Sequence, residues 1–459
     1  MNYDLIIIGG GIGGLMAAYQ AQELHPAWNI ALFERGGALE KRQCPISIGR
    51  AGSCIYCGSC AIMEGLAGAG AFSDGKFVKS TEYGGWLPEY LGNEKTLHYI
   101  DKVDKILMRF GATEKVYTPS DEIKAACAHH NLHLQQAVVK HLGSDGNYGI
   151  MQNLIEHLRT CVDIHIKEPV YAVDPVNRAI RTARGEYLCH KLIIAVGRVG
   201  AQWFEGWCHQ HHIPVENNQV DIGVRVELPR YVWAHISDII YEPKILYTTR
   251  QYGDVCRTFC FNVGGYVVME NSDGVLTVNG HAHAREELKS ANSNFALLST
   301  TKFTQPFDQP LDYLKHVAQL GNMISGGSVI VQRFGDLLAG RRSTAERIAA
   351  NTVQPTLAAV PGDLSLCLPK RQLDNIIETM HALDNIAPGT AAAPTLLYGV
   401  EAKYYSIKPR FLNEDFAIAP DIYALGDGSG VTRSLSQAGA MGLYVAERLT
   451  RSSTASFEC

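Results

Sequence analysis

Residues 4–19, DLIIIGGGIGGLMAAY, and residues 29–34, NIALFE, decide the fold. Leu5 to Ile8 form an apolar run that reads as a buried parallel strand. It enters a glycine-rich turn, an apolar helix follows, and a second strand ends on Glu34. Strand, G-x-G-x-x-G, helix, strand and acid together are the dinucleotide-binding unit. Gly9 permits the tight turn, Gly11 lets backbone approach a pyrophosphate, and Gly14 lets helix and strand pack closely, with Gly13 beside them. The helix start offers unpaired N–H groups and partial positive charge to phosphate. Glu34, with Arg35 next to it, stands where a carboxylate can accept ribose hydroxyls.

A matching signal at the far end favours FAD over NAD. Residues 422–430, IYALGDGSG, read as a strand, a Gly-Asp pair and a glycine-rich turn, and a long helix follows. Gly426, Asp427 and Gly430 are candidate cofactor contacts, with Asp427 suited to the ribityl chain. KLIIAVGR at 191–198 has the form of a strand crossing near the same cofactor, with Gly197 at its turn. The segment EGLAGAGAFSDGK at 64–76 is too small-sided to build a core, but it lets backbone pass close to a flat ligand. Its candidates are Gly70, Ala71, Ser73, Asp74 and Lys76. These signals span the chain, so the expected architecture is α/β: a discontinuous Rossmann-type FAD-binding domain with an inserted mixed α+β substrate domain. The expected bounds are 1–214 and 401–459 for the first and 215–400 for the second, which is expected to close over the flavin.

The chain has 459 residues, 46% of them apolar and 19% charged, and a formal net charge of −5. That balance gives no electrostatic footprint for nucleic acid. No apolar run reaches membrane-spanning length, and no basic region precedes the first strand, so the expected location is cytoplasmic, away from membranes. Of twelve cysteines, Cys44, Cys54, Cys57 and Cys60 stand apart in a Gly- and Ser-rich stretch. Four thiolates could hold zinc or an iron–sulfur cluster; a redox dithiol beside the flavin and a set of structural thiols are the other readings. The remaining cysteines sit mostly in apolar patterns and are expected in the core.

Between the anchors, 95–142 reads as helical, taking His129 and His133 onto a helix surface. Residues 255–261 and 266–269 read as a hairpin across Asn262–Gly265. In the inserted domain Arg225 and Glu227 share a strand face, as do Glu401 and Lys403. Arg257, His281 and Lys403 rank highest as catalytic candidates because small or aromatic residues flank them. No second G-x-G-x-x-G follows a strand, so NAD(P)H is a candidate only as a transient donor.

Several longer segments carry a family resemblance: CIYCGSC (54–60), GAGAFSDGK (68–76), RTFCFN (257–262), VNGH (278–281), VQRFGDL (331–337) and YGVEAK (398–403). The chain resembles the NAD(FAD)-utilising FAD-dependent dehydrogenases, a family similar in fold to the glutathione-reductase-like flavoproteins. That resemblance implies an FAD-dependent oxidoreductase passing hydride between flavin N5 and a small substrate. An electron-transfer or redox-sensing flavoprotein using the cysteine group is the alternative. A tRNA-modifying flavoprotein is a weaker one, opposed by the acidic balance. The sequence does not indicate an oligomeric state.

Overall fold

The computed structural model describes residues 2–454 apart from positions 46, 47, 52–54, 56, 74, 273, 284, 305, 308 and 404. The chain divides into two compact units, residues 1–116, 140–217 and 405–459, and residues 117–139 and 218–404.

The first unit is built on a twisted sheet whose central strand is Asn2–Ile8. Ile30–Glu34 pairs parallel on one side of it and Gly185–Ile194 parallel on the other. Asp163–Ile166 extends the sheet in parallel on one side; on the other Ile422–Ala424 adds in parallel and Ala417–Ala419 forms the edge, antiparallel. Alternation along the central strand explains the layering. Leu5 and Ile7 face a core shared with the helices Ile12–Leu24 and Leu435–Thr454, whereas Ile6 and Ile8 face Phe204 and Trp207. Burying each such side chain contributes about 1.5–3 kcal/mol. The two helices touch backbone to backbone: a Cβ on Gly442 would lie 2.2 Å from the Gly13 carbonyl oxygen.

The second unit carries a sheet of eight strands, with Val220–Pro229 paired antiparallel to Asn292–Thr301 and to Leu396–Lys403. One face packs Ile222, Val224 and Val226 into an apolar core with Trp233 and Phe295. The opposite face carries Asp221, Arg225 and Glu227, all fully buried.

Three local expectations are corrected. The 95–142 stretch is helical only at Asn93–Arg109 and Asp121–His129; Leu132–Gln135 and Val138–His141 are strands, so His133 is on a strand. Val255–Asn262 pairs with Lys244–Thr248 and Asn292–Thr301, and the hairpin is formed instead by Tyr266–Ser272 with Val275–His281. Residues 117–139, expected with the first domain, belong to the second unit. Leu132–Gln135 adds to its sheet beside Lys244–Thr248, and Ile123, Cys127, Leu132 and Leu134 enter its core. Among the described residues no helix is long and apolar enough to cross a membrane.

Candidate functional site

In the first unit the parallel strands end level with one another: Ile8 is in register with Phe33 and with Ile194, and Ile194 with Ala424. The residues just beyond them, Gly9, Glu34, Ala195 and Leu425, line a cleft of ≈ 490 Å³. The C-terminal edge of an open parallel sheet, where the connections diverge from a central strand, is where such folds bind ligands.

The glycines divide into two kinds. Gly9 and Gly14 are packing glycines: a Cβ on Gly9 would lie 2.2 Å from the Ala195 carbonyl oxygen, and one on Gly14 would lie 2.1 Å from that of Gly9. Gly11, Gly197 and Gly426 also line the cleft, but a Cβ on any of them would meet nothing within 4 Å. Their missing side chains leave open space. Gly11 is also the N-cap of Ile12–Leu24 and offers no side-chain cap, so the first-turn N–H groups are left for a ligand. An extended, phosphate-bearing dinucleotide fits this donor set and this bare wall.

Charged groups rim the cleft. Glu34 is buried; its Oε2 accepts from Gly10 N–H at 2.8 Å, and its Oε1 accepts from Gly36 N–H at 2.8 Å and Gly65 N–H at 3.1 Å. Each oxygen therefore already has a backbone partner, and ribose would share the carboxylate with these amides. Arg35 pairs with Glu64 at 3.0 Å. Asp427 accepts from Thr432 Oγ1 at 2.8 Å and lies 3.7 Å from Arg198 Nε. Arg433 stacks on Tyr405, 3.8 Å from the ring centre.

Of the predicted cofactor residues, Gly13, Arg35, Gly70, Ser73 and Asp427 also line this cleft. Gly14, Ala71, Lys76 and Gly430 are not among the residues lining it. Lys76 opens a short strand, Lys76–Lys79, and a Cβ on Gly430 would lie 2.5 Å from the Ser406 carbonyl oxygen. Asp74 lies outside the described residues. Sequence reasoning did not single out Pro169 and Tyr171, which reach the cleft from a connection, Trp203, which reaches it from the helix Ala201–Gln210, or Arg433, which lies in the far-end segment just after its glycine-rich turn.

The cysteine group is described only in part. Cys44, Cys57 and Cys60 are free thiols, Cys54 lies outside the described residues, and among the described residues no three His, Cys, Asp or Glu side chains are placed to hold a metal ion. Of the scattered cysteines, Cys127, Cys189, Cys208, Cys256 and Cys367 are buried. Burial pushes the Cys127 thiol up to about 11 and Cys189 to about 12.

The catalytic candidates lie in the second unit. Arg257 is ion-paired with the buried Asp221, and Lys403 is the register partner of Asp221 on the neighbouring strand. The Lys403 ammonium lies 3.1 Å from Glu401 and 3.8 Å from Glu270. Burial acts to lower its pKa, but Glu401, Glu270 and Cys260 outweigh burial and hold it above its ordinary value. Arg225, fully buried, donates from Nε to Asn294 at 2.8 Å and from Nη2 to the Cys260 carbonyl at 2.8 Å, and lies 3.6 Å from Glu401. His281 is on the separate hairpin, its Nε2 3.3 Å from that of His283. Arg257 and Lys403 thus share the polar sheet face, and His281 sits on the hairpin.

Residues 219–404 match the family model described as "FAD-dependent protein, C-terminal domain-like". The comparison with curated proteins gives no match. Similar solved structures include glycine oxidase from Geobacillus kaustophilus, at 11% identity over 98% of this chain and 95% of that one, TM-score 0.39. L-proline dehydrogenase from P. horikoshii has 12% identity over 98% and 94%, TM-score 0.42. FrdA of E. coli quinol fumarate reductase has 11% identity over 100% of this chain and 72% of that one, TM-score 0.45. All three scores are below 0.5, and the fold assignment rests on the sheet order of this chain.

Proposed function

We propose that this chain is an FAD-dependent oxidoreductase acting on a small molecule. The observation that carries the reading is the cleft at the strand ends. Three glycines face open space there, an uncapped helix start supplies N–H donors, and Glu34 stands beside them. The match of residues 219–404 to a domain model of FAD-dependent proteins supports it independently. The finer assignment, to NAD(FAD)-utilising dehydrogenases of glutathione-reductase-like architecture, belongs to the same reading and rests on the sequence resemblance. FAD supplies a two-electron hydride acceptor. Around it, the first-turn amides of Ile12–Leu24 would hold the pyrophosphate, Glu34 the adenosine ribose and Asp427 the ribityl chain.

In the second unit Lys403 holds a proton at Nζ, stabilised by Glu401 and Glu270. His281 is the group suited to exchange a proton with substrate, because an imidazole can both accept and donate one. Arg257 is tied to Asp221 and is suited to orientation more than to proton transfer.

The direct test is purification and reconstitution. The wild-type protein should be yellow, or turn yellow with FAD, and prefer FAD over NAD and ATP; a protein that stays colourless after reconstitution overturns the reading. Glu34→Gln removes a charge-assisted acceptor worth about 1.5–3 kcal/mol, so isothermal titration should show FAD affinity weakened by roughly 10–100-fold. A second test reads flavin bleaching anaerobically against a panel of small hydride donors. With any donor that bleaches wild type, His281→Ala should slow bleaching by about 10²–10⁴ while FAD stays bound. An unchanged rate would move proton transfer to another residue.

A further inference from the structure

The wall of the cleft formed by residues 61–70 poses a physical problem. Gly65, Ala67, Gly68, Ala69 and Gly70 carry almost no side chain, which lets backbone face the cleft but leaves little to pack. Such a stretch must be held through its own peptide groups, and buried peptide groups must be paired. The structure shows what holds it. Arg42, buried, donates from Nε to the Ala61 carbonyl at 2.9 Å and from Nη2 to that of Ile62 at 2.8 Å. From Nη1 it donates to Leu66 at 2.7 Å and Gly68 at 2.8 Å. One guanidinium thus spends four of its five N–H donors on four carbonyls of a single loop. Its plane also lies over Phe72, 4.7 Å from the ring centre.

The loop is gripped from the other side by the opposite charge. Glu34 Oε1 takes the Gly65 N–H while the guanidinium takes the carbonyls of Leu66 and Gly68. The fit leaves no slack. Gly65 has φ +117°, and a Cβ there would lie 2.6 Å from Arg42 Cδ. Burying a guanidinium costs several kcal/mol unless its donors are satisfied. An apolar residue could fill the same volume without that cost, but it could not bind four carbonyls. The planar fork of Arg is the group that can, and the point charge of Lys is not equivalent.

We infer that Arg42 is a positioning residue for the cofactor: acting through the Ala61–Gly68 backbone, it sets the cleft wall against which a dinucleotide lies. The inference rests on the proposed dinucleotide reading of the cleft, yet the placement of the wall can be tested without cofactor. Hydrogen exchange by mass spectrometry on the full-length apo protein reads the amides of Leu66, Ala67 and Gly68. These bond the carbonyls of Gly37, Gly10 and Gly65 respectively. In Arg42→Met and Arg42→Lys, exchange across residues 61–70 should rise at least tenfold, while the strands Asn2–Ile8 and Gly185–Ile194 exchange as in wild type. FAD affinity, measured by titration, should fall at least tenfold in both variants. In Arg42→Ala, millimolar guanidinium should restore part of that affinity, which general destabilisation would not allow. Wild-type exchange in the loop of both variants, with unchanged FAD affinity, overturns the inference. So does exchange that rises throughout the unit, which would make Arg42 a general support of the fold. If wild type fails to bind FAD, the functional reading falls, and the loop exchange still decides what Arg42 does.

Discussion

Gly11→Leu is expected to weaken FAD binding by roughly a hundredfold while leaving the protein folded. The backbone at Gly11 has φ −74° and ψ 177°, an extended conformation open to any residue, and a Cβ there meets nothing within 4 Å. The new side chain therefore enters the cleft and not the core. Steric displacement of about 3 kcal/mol corresponds to a loss of affinity of roughly a hundredfold. A poorer N-cap should cost the apo protein no more than about 1 kcal/mol. Gly14→Ala, three residues along the same motif, should show the opposite pattern. Its Cβ would meet the Gly9 carbonyl oxygen at 2.1 Å, so overpacking should cost about 1–3 kcal/mol of stability. Denaturant unfolding of both apo variants, with FAD titration of Gly11→Leu, checks the pair. Normal FAD binding by Gly11→Leu would mean that the cleft is not the dinucleotide site.

Glu401→Ala is expected to be among the most destabilising single changes in the second unit. The carboxylate is fully buried between Lys403, at 3.1 Å, and Arg225, at 3.6 Å. Removing it leaves two buried cations short of their shared anion, and breaking such a pair costs about 3–5 kcal/mol. The same principle supplies the control. Replacing all three charges with apolar residues of similar volume, as in Arg225→Met with Glu401→Leu and Lys403→Met, should recover most of that loss. Chemical denaturation monitored by circular dichroism measures both. A loss below about 1 kcal/mol for Glu401→Ala would mean that water reaches the cluster and screens it.

Local chemistry is legible where it is carried by neighbours in the chain. Gly9 and Gly14 stand where a Cβ would strike backbone, as their spacing implies, because a strand–turn–helix unit is determined over some thirty residues by periodicity and by the lack of a Cβ. The far strand at residues 422–424 is legible for the same reason, and it does join the sheet through Gly185–Ile194.

What the chain order alone could not decide is which distant segments share a core and which charges meet. Residues 117–139 look like a continuation of the first domain, yet their apolar residues fill the second unit's core, because partner choice for a short amphipathic helix and strand depends on which surface remains to be covered. The strand at 255–262 pairs with Asn292–Thr301 rather than with the strand that follows it in sequence, since cross-strand burial outweighs proximity along the chain. Arg42 carries no motif at all. Its importance arises only when a glycine-rich loop folds back and presents four carbonyls to one guanidinium. Sequence determined the strand–turn–helix–strand unit and its glycines, because those constraints are local and steric. Alternation along one strand already puts Glu401 beside Lys403; tertiary structure alone decided that Arg225 joins them and that Glu34 and Arg42 grip one loop, because partnership between distant segments depends on distance in space.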